Sequence, residues 1–334
     1  MSPLLGLPLL GLSCAVLALG VRVLRRWRVR RWLRRAGGLV LIIPSVLGLV
    51  VSGFVSWALY RGQPDEVSEE WFAGVRYQRI VRRQPRPFVA HLVQVDLREP
   101  GIDVLVSPHQ PTASGDVLAD RTSGFAARHG VQVAINANYF YPFQNNHPLD
   151  YTPHVGDPVQ IVGLAASRGQ SYGGEDGETE GMITLYLSRD RRISFEQPVG
   201  EVWQAISGLG YVVRDGAPVA FEDKENNRKP YPRSIVAVDV TGRYLVLLVV
   251  DGKQPHYSEG LTLEETATLL LEHGVRTAIQ LDGGGSATLV RQEGQGNVRF
   301  VSTPINFRIP GWERPVGNHL GISARPLGVT PRIH

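Results

Sequence analysis

One cysteine, Cys14, in 334 residues leaves no intrachain disulfide and removes zinc ribbons and thiol-disulfide chemistry from consideration. Acidic residues are absent from the first 62 positions, which hold nine arginines. The remainder carries 26 basic against 31 acidic residues, so the formal net charge of +4 conceals a domain of about −5 behind a very basic head. A basic pI therefore gives no support for a nucleic-acid partner, because the basic residues are not on the domain. The glycine run in LDGGGSATLV (281–290) also lacks what the familiar glycine motifs need. No lysine follows Gly283, Gly284 and Gly285, which excludes a phosphate loop. The third glycine of a dinucleotide fingerprint is missing, and position 288 is Thr where a nucleophile elbow needs Gly.

Long apolar runs are present, both near the start. Residues 3–24 and 39–60 are each long enough to cross a bilayer as helices, and RVLRRWRVRRWLRR (22–35) lies between them. The positive-inside rule keeps that loop cytoplasmic, so the sequence predicts a membrane anchor over 1–62 and a domain outside the cytoplasmic membrane. A cleaved signal peptide fits poorly, since no basic residues precede the apolar stretch and no A-x-A-like site precedes the arginines. Lipidation of Cys14 fits no better, with Gly11 three residues before it. A later start would leave a single-pass anchor facing the same way.

Residues 63–87 read as a linker and 88–328 as the domain. HLVQVDL (91–97) and IDVLVSP (102–108) alternate like a hairpin, 117–129 is helix-like with Gly130 as C-cap, and VQVAIN (131–136) is a strand. Further strands fall at 182–188, 191–197 and 212–219. The clearest hairpin is 232–240 with 244–252. LTLEETATLLLEH (261–273) is an amphipathic helix in which Thr262 and Glu265 have capping-box spacing. Many strands with two clear helices predict an α+β fold: a mixed, mainly antiparallel sheet with packed helices, preceded by the transmembrane helix hairpin.

Arg276 to Leu281 reads as a buried strand that delivers Asp282 into the three glycines. These free the backbone to approach a ligand, and Ser286 adds a hydroxyl. An idle strand-to-strand turn is the bland alternative, although three glycines cost more backbone entropy than such a turn needs. Other polar groups occupy comparable strand ends: Asn136 and Asn138, Asp251, Arg233, and Arg314 and Asn318. Collected at one sheet edge, they are what a site requires. Residues 141–180 hold His147, Asp150, Tyr151, His154 and Asp157, whose spacing matches no metal-ligand motif; a solvated or substrate-rim loop fits better. The sequence requires no cofactor, and a divalent cation (Ca or Mg) stays compatible with it.

The segments INANYF (135–140), PRSIVAVD (232–239), VVDGKQ (249–254), GLTLEETATLL (260–270), LDGGGSATLV (281–290) and RPVGNHLGI (314–322) together resemble the phosphodiester glycosidase family, in its order, over about residues 88–328. One departure is visible. The family often has Asn-Gly-Gly-Phe-Phe where this chain has Asn136-Ala137-Asn138-Tyr139-Phe140, which would re-line the sugar pocket.

The resemblance implies hydrolysis of a sugar 1-phosphodiester, here a phosphate-linked carbohydrate of an envelope glycan or glycolipid. Phosphate is already a good leaving group, so the site needs chiefly a carboxylate and a phosphate clamp. On that basis Asp282 and then Asp251 are the catalytic candidates, and Arg233 and Arg314 bind phosphate. Gly283, Gly284, Gly285 and Ser286 would donate hydrogen bonds, and Asn136, Asn138 and Asn318 would orient sugar hydroxyls. Glu265, His256 and His154 rank lower. A non-catalytic carbohydrate- or envelope-binding module is the alternative function. The lipid bilayer and the carbohydrate are the expected partners, with no nucleic acid.

Overall fold

The computed structural model describes residues 22, 31–174, 181–221, 225–294 and 296–328. The chain divides into two units, Met1–Gly62 and Gln63–His334. The expectation of an α+β domain behind a transmembrane helix hairpin needs correction in both. In the second unit strands dominate, and the described α-helices are Thr122–His129, the single turn Glu225–Arg228, and Leu263–Glu272. In the first unit the described helix runs Arg31–Tyr60 with Pro44 inside it. Arg31, Arg34 and Arg35, expected in a loop between spans, are wound into that helix. Among the described residues no helix is long and apolar enough to cross a membrane. Of the other expected span, 3–24, only Arg22 is among the described residues.

The second unit is built on an eight-stranded antiparallel sheet. Its spatial order is Val67–Phe72, Val75–Arg82, Phe88–Asp96, Tyr244–Val250, Arg233–Asp239, Val275–Gln280, Tyr211–Arg214 and Ala217–Pro218. The central hairpin has the expected register, with Arg233 opposite Val250 and Val238 opposite Leu245. Its residues form continuous apolar runs because both faces are buried. Val236, Leu247, Val249 and Ile279 face one core, and Ile235, Ala237, Leu248 and Ala278 face the other.

The first core is closed by a five-stranded antiparallel sheet, ordered Asn297–Phe300, Leu289–Glu293, Val133–Asn136, His319–Ser323 and Asp103–Val106. The second is covered by Leu263–Glu272, whose Leu263, Ala267 and Leu270 pack on the sheet. Its Thr262–Glu265 capping box is formed as the spacing predicts.

Two segments depart from the sequence reading. Phe88–Asp96 and Asp103–Val106 are not a hairpin; the first pairs in the large sheet, and the second pairs with His319–Ser323. Alternation identifies a strand without naming its partner. Residues 67–82, read as linker, form the edge hairpin of the large sheet, with Trp71 and Tyr77 in the first core. The expected helix 117–129 begins only at Thr122, after the short strand Val117–Leu118, and ends at Gly130 with φ 64°.

A candidate catalytic edge

Strands Tyr244–Val250 and Val275–Gln280 both run antiparallel to Arg233–Asp239, so both end where Arg233 begins. Asp251, Arg233 and Asp282 are thereby brought to one sheet edge, about 5 Å per strand apart. Alternation then separates them. Asp251 continues the parity of Val249 and faces the first core, whereas Arg233 shares the parity of Ile235 and faces the second.

Asp251 is 2% exposed and its carboxylate is used within the protein. One oxygen accepts from Thr303 N at 2.8 Å. The other meets His91 Nε2 at 3.2 Å and Tyr257 Oη at 3.1 Å, while His91 Nδ1 lies 2.8 Å from Tyr77 Oη. This buried cluster holds Thr303, and its burial leaves the Asp251 carboxylate committed within the protein.

Asp282 is different, since it is only partly buried and no other carboxylate is among the groups acting on it. Burial pushes its carboxyl up to about 6, against the lowering effects of the Ser286 hydroxyl, the Arg314 charge and the Gly283 N–H. Arg314 Nη1 donates to Ser286 Oγ at 3.1 Å, and that same hydroxyl is among the groups holding the Asp282 carboxyl down. Arg314 Nε donates to Asn306 Oδ1 at 3.0 Å, which fixes the plane of the fork. Burial lowers the Arg314 pKa, and the negative charge of Asp282 opposes that shift.

Each glycine of the run has a steric reason to lack a side chain. A Cβ on Gly283 would lie 2.8 Å from Pro232 O; on Gly284, where φ is +64°, it would lie 2.9 Å from the Tyr231 ring; on Gly285 it would lie 2.4 Å from Arg314 Nη2. The run is thus a seat for Tyr231 and Arg314. The Gly284 N–H, expected as a phosphate donor, goes to Pro232 O at 2.9 Å. Gly285→Ala is expected to keep the fold while displacing the guanidinium, with kcat/KM falling on the order of 100-fold. An unchanged melting curve beside that loss checks it.

The remaining expected residues mostly hold the site rather than face a ligand. Arg233 is 3% exposed and donates to Leu261 O, Gln280 Oε1 and Lys229 O. Burial lowers its pKa to about 10. Gln280 in turn donates to Tyr139 Oη at 3.1 Å, and burial, with the charge of Asp282 adding to it, raises the Tyr139 pKa. Arg233 therefore bears on the site through Gln280 and Tyr139.

Asn136, fully buried, accepts from Ser234 Oγ at 2.8 Å and Thr288 N at 3.1 Å, and donates to Asp282 O at 2.5 Å. It pins the Asp282 loop between the two sheets. Asn138 donates to Val162 O and Leu164 O and accepts from Ser207 N and Asn318 Nδ2, with both asparagines buried. The amides of both are engaged within the protein. Glu265 serves the capping box and pairs with Arg86. His256 is exposed with φ 64°, and His154 is exposed beside Asp157 at 3.4 Å. No cluster of three or more His, Cys, Asp or Glu that could hold a metal is found among the described residues.

Sequence reasoning overlooked Tyr231, Lys253 and Asn306. Lys253 Nζ stands 3.9 Å from the centroid of the Tyr231 ring, the ring that seats against Gly284, and so adds a cation on that side. The only signal was position: Tyr231 precedes Arg233 by two residues, and Lys253 lies in VVDGKQ.

Residues 129–323 match the model of the family described as phosphodiester glycosidase. Over 120 residues the chain is 38% identical to the Bos taurus N-acetylglucosamine-1-phosphodiester alpha-N-acetylglucosaminidase, covering 33% of this chain and 22% of that protein. Against the Homo sapiens protein of the same name it is 33% identical over 120 residues, covering 33% of this chain and 23% of that one. The match thus spans less than a quarter of the length of these curated relatives.

Among solved structures, the zebrafish N-acetylglucosamine-1-phosphodiester alpha-N-acetylglucosaminidase catalytic domain, auto-inhibited by pro-peptide, superposes with TM-score 0.55 at 23% identity over 80% of this chain and 86% of that one. A hypothetical protein from Synechocystis gives TM-score 0.50 at 16% identity, over 78% and 64%. At these identities the structural likeness speaks for the fold.

Proposed function

Since the chain belongs to the phosphodiester glycosidase family, we propose that it hydrolyses the bond between a sugar C1 and the oxygen of a phosphodiester. The observation that carries this reading is the Asp282–Ser286–Arg314 group: a carboxylate raised to about 6, acted on by the Ser286 hydroxyl and by a guanidinium that Ser286 and Asn306 hold in a fixed plane. Asp282 takes a proton from water as the water oxygen bonds to C1. The C1–O bond breaks, and its electron pair leaves on the phosphate oxygen, where Arg314 stabilises the charge. Phosphate leaves readily, so a single carboxylate suffices and Asp251 is not needed at C1.

Within this class we place the substrate among envelope glycans or glycolipids. Phe143, 47% exposed against Arg314, offers a surface for a bulky group beyond the phosphate. A panel of sugar 1-phosphodiesters and plain glycosides, incubated with the full chain, tests the reading. Turnover confined to the phosphodiesters is expected. Equal turnover of both sets would contradict the phosphate clamp, and binding without turnover would favour a carbohydrate-binding module.

A further inference from the structure

The far end of the large sheet carries a second set of polar groups that neither Asp282 nor Arg314 uses. Strand Arg233–Asp239 has seven residues, so its end at Asp239 lies about 20 Å from the catalytic edge where it starts. There a cavity of about 360 Å³ opens between that sheet and Ile193–Phe195, the edge strand of a second five-stranded antiparallel sheet. Buried Val238 and Thr277 line it together with Phe195 and Tyr211, whose ring centroids are 6.2 Å apart. Two guanidiniums share the lining. Arg214 Cζ stands 4.9 Å from the Tyr211 centroid, and Arg214 Nη2 lies 3.3 Å from Glu196 Oε1, the oxygen to which Tyr211 Oη donates at 2.7 Å. Arg276 Nη2 lies 3.3 Å from Asp215 Oδ1. Both ion pairs are longer than the roughly 2.7–2.9 Å of a tight charge-assisted bond, and all four side chains are exposed. Their N–H groups and oxygens therefore meet water and can exchange it for the hydroxyls of a ligand.

Resting on the hydrolysis of a sugar 1-phosphodiester assigned above, we propose that this cavity holds one sugar ring of a neutral glycan chain whose phosphate-linked end lies at Asp282. Charge selects the ligand. Glu196, Asp215 and Asp239 set three carboxylates against two guanidiniums, a balance that disfavours a phosphate or an acidic sugar. A lone cation would have to sit beside Arg214 and Arg276. Pyranose hydroxyls suit the mixture, because each can donate to a carboxylate and accept from a guanidinium. The apolar C–H face of the ring suits Val238 and the aromatic pair. A separation of about 20 Å exceeds one sugar ring, so a single ligand reaches both places only as a chain. The substrate is then an extended glycan, gripped at a point remote from the bond that breaks.

Isothermal titration of the full chain with unphosphorylated linear tetrasaccharides of glucose, mannose, galactose and N-acetylglucosamine tests the cavity without needing turnover. At least one is expected to bind with Kd on the order of 1 mM, and Arg276→Ala to weaken it about tenfold. Glu196→Gln keeps the shape, removes the charge and should weaken it likewise, which serves if Arg276→Ala fails to fold. Inorganic phosphate should show no binding that either variant removes. In turnover, both variants should lower kcat/KM about tenfold for a sugar 1-phosphodiester ending a long glycan, and change it less than about twofold for the monosaccharide ester. No binding of any tetrasaccharide, binding that both variants leave intact, phosphate binding that they abolish, or equal losses on long and short substrates would overturn the cavity site alone. A parent that binds a tetrasaccharide yet hydrolyses neither ester would instead overturn the reading of Asp282 and Arg314, and with it the end of the chain placed there.

Discussion

Asp282→Asn is expected to lower kcat on sugar 1-phosphodiesters by roughly a thousandfold or more while making the protein more stable at pH 7. The loss follows from removing the group proposed as the base at C1. The gain follows from linkage. The unfolded carboxyl ionises near its ordinary value of 3.8, while the folded one keeps its proton until about 6. Above about 6 the fold therefore holds a carboxylate that burial disfavours. This penalty is absent below the unfolded value, grows as pH rises between the two, and is complete above the folded one.

A shift of about two units corresponds to at most ~3 kcal/mol, and partial access to water reduces it to about 1–2 kcal/mol. Asn carries no such penalty, so the variant should melt a few degrees higher at pH 7 and at the same temperature as the parent near pH 3.5. Thermal scans at the two pH values, alongside kcat, check both halves. Full activity would remove Asp282 from the chemistry, and an equal melting temperature at pH 7 would mean that its burial carries no penalty. In the parent, kcat/KM should rise with pH through about 6 and then level, as expected for a base that must be ionised.

Arg314→Ala should have the second largest effect, a fall of about 10²–10³ in kcat/KM on phosphodiesters, the range for losing one pre-placed donor at a developing charge. Plain glycosides of the same sugar should change much less, because they have no phosphate to hold. Arg314→Lys should restore only part of the loss. An ammonium keeps the charge but cannot reach both Asn306 and Ser286 as the fork does. Arg314 also lowers the Asp282 pKa, so its removal should move the rising limb of the pH profile to higher pH. A shift to lower pH, or an equal loss on phosphodiesters and plain glycosides, would separate Arg314 from both phosphate and Asp282.

What could be read from the sequence depended on how local the determining interaction is. The Thr262–Glu265 capping box and the hairpin around Thr241-Gly242 are set by neighbours along the chain, and both form as read. The glycine run could be recognised as unusual from three consecutive residues. Its actual function, clearing space for Tyr231 and Arg314, needed the distant partners to be placed.

Asp251 and Asp282 are each an acid ending an apolar strand, and the sequence ranks Asp282 first only on its glycine run and the family resemblance. What separates them is parity: Arg233 pairs with Val250 and Ile235 with Gln280, and that register sends the two acids to opposite faces. One residue of slip would have reversed the assignment. The asparagines were read correctly as strand-end residues. Their burial, however, is fixed by packing between sheets, which no pattern within one strand reports. The strands at 67–82 were missed because their edge position leaves them polar, and polar alternation resembles a linker.

The central claim is that the chain breaks C1–O rather than P–O, with Asp282 directing water at the sugar. Hydrolysis of a sugar 1-phosphodiester in water enriched in heavy oxygen, followed by mass spectrometry of the phosphate monoester released, tests it directly. An unlabelled phosphate product, with the heavy oxygen entering at C1, is the predicted result. Heavy oxygen in the phosphate would mean that water attacked phosphorus and would contradict the assignment of Asp282 and Arg314.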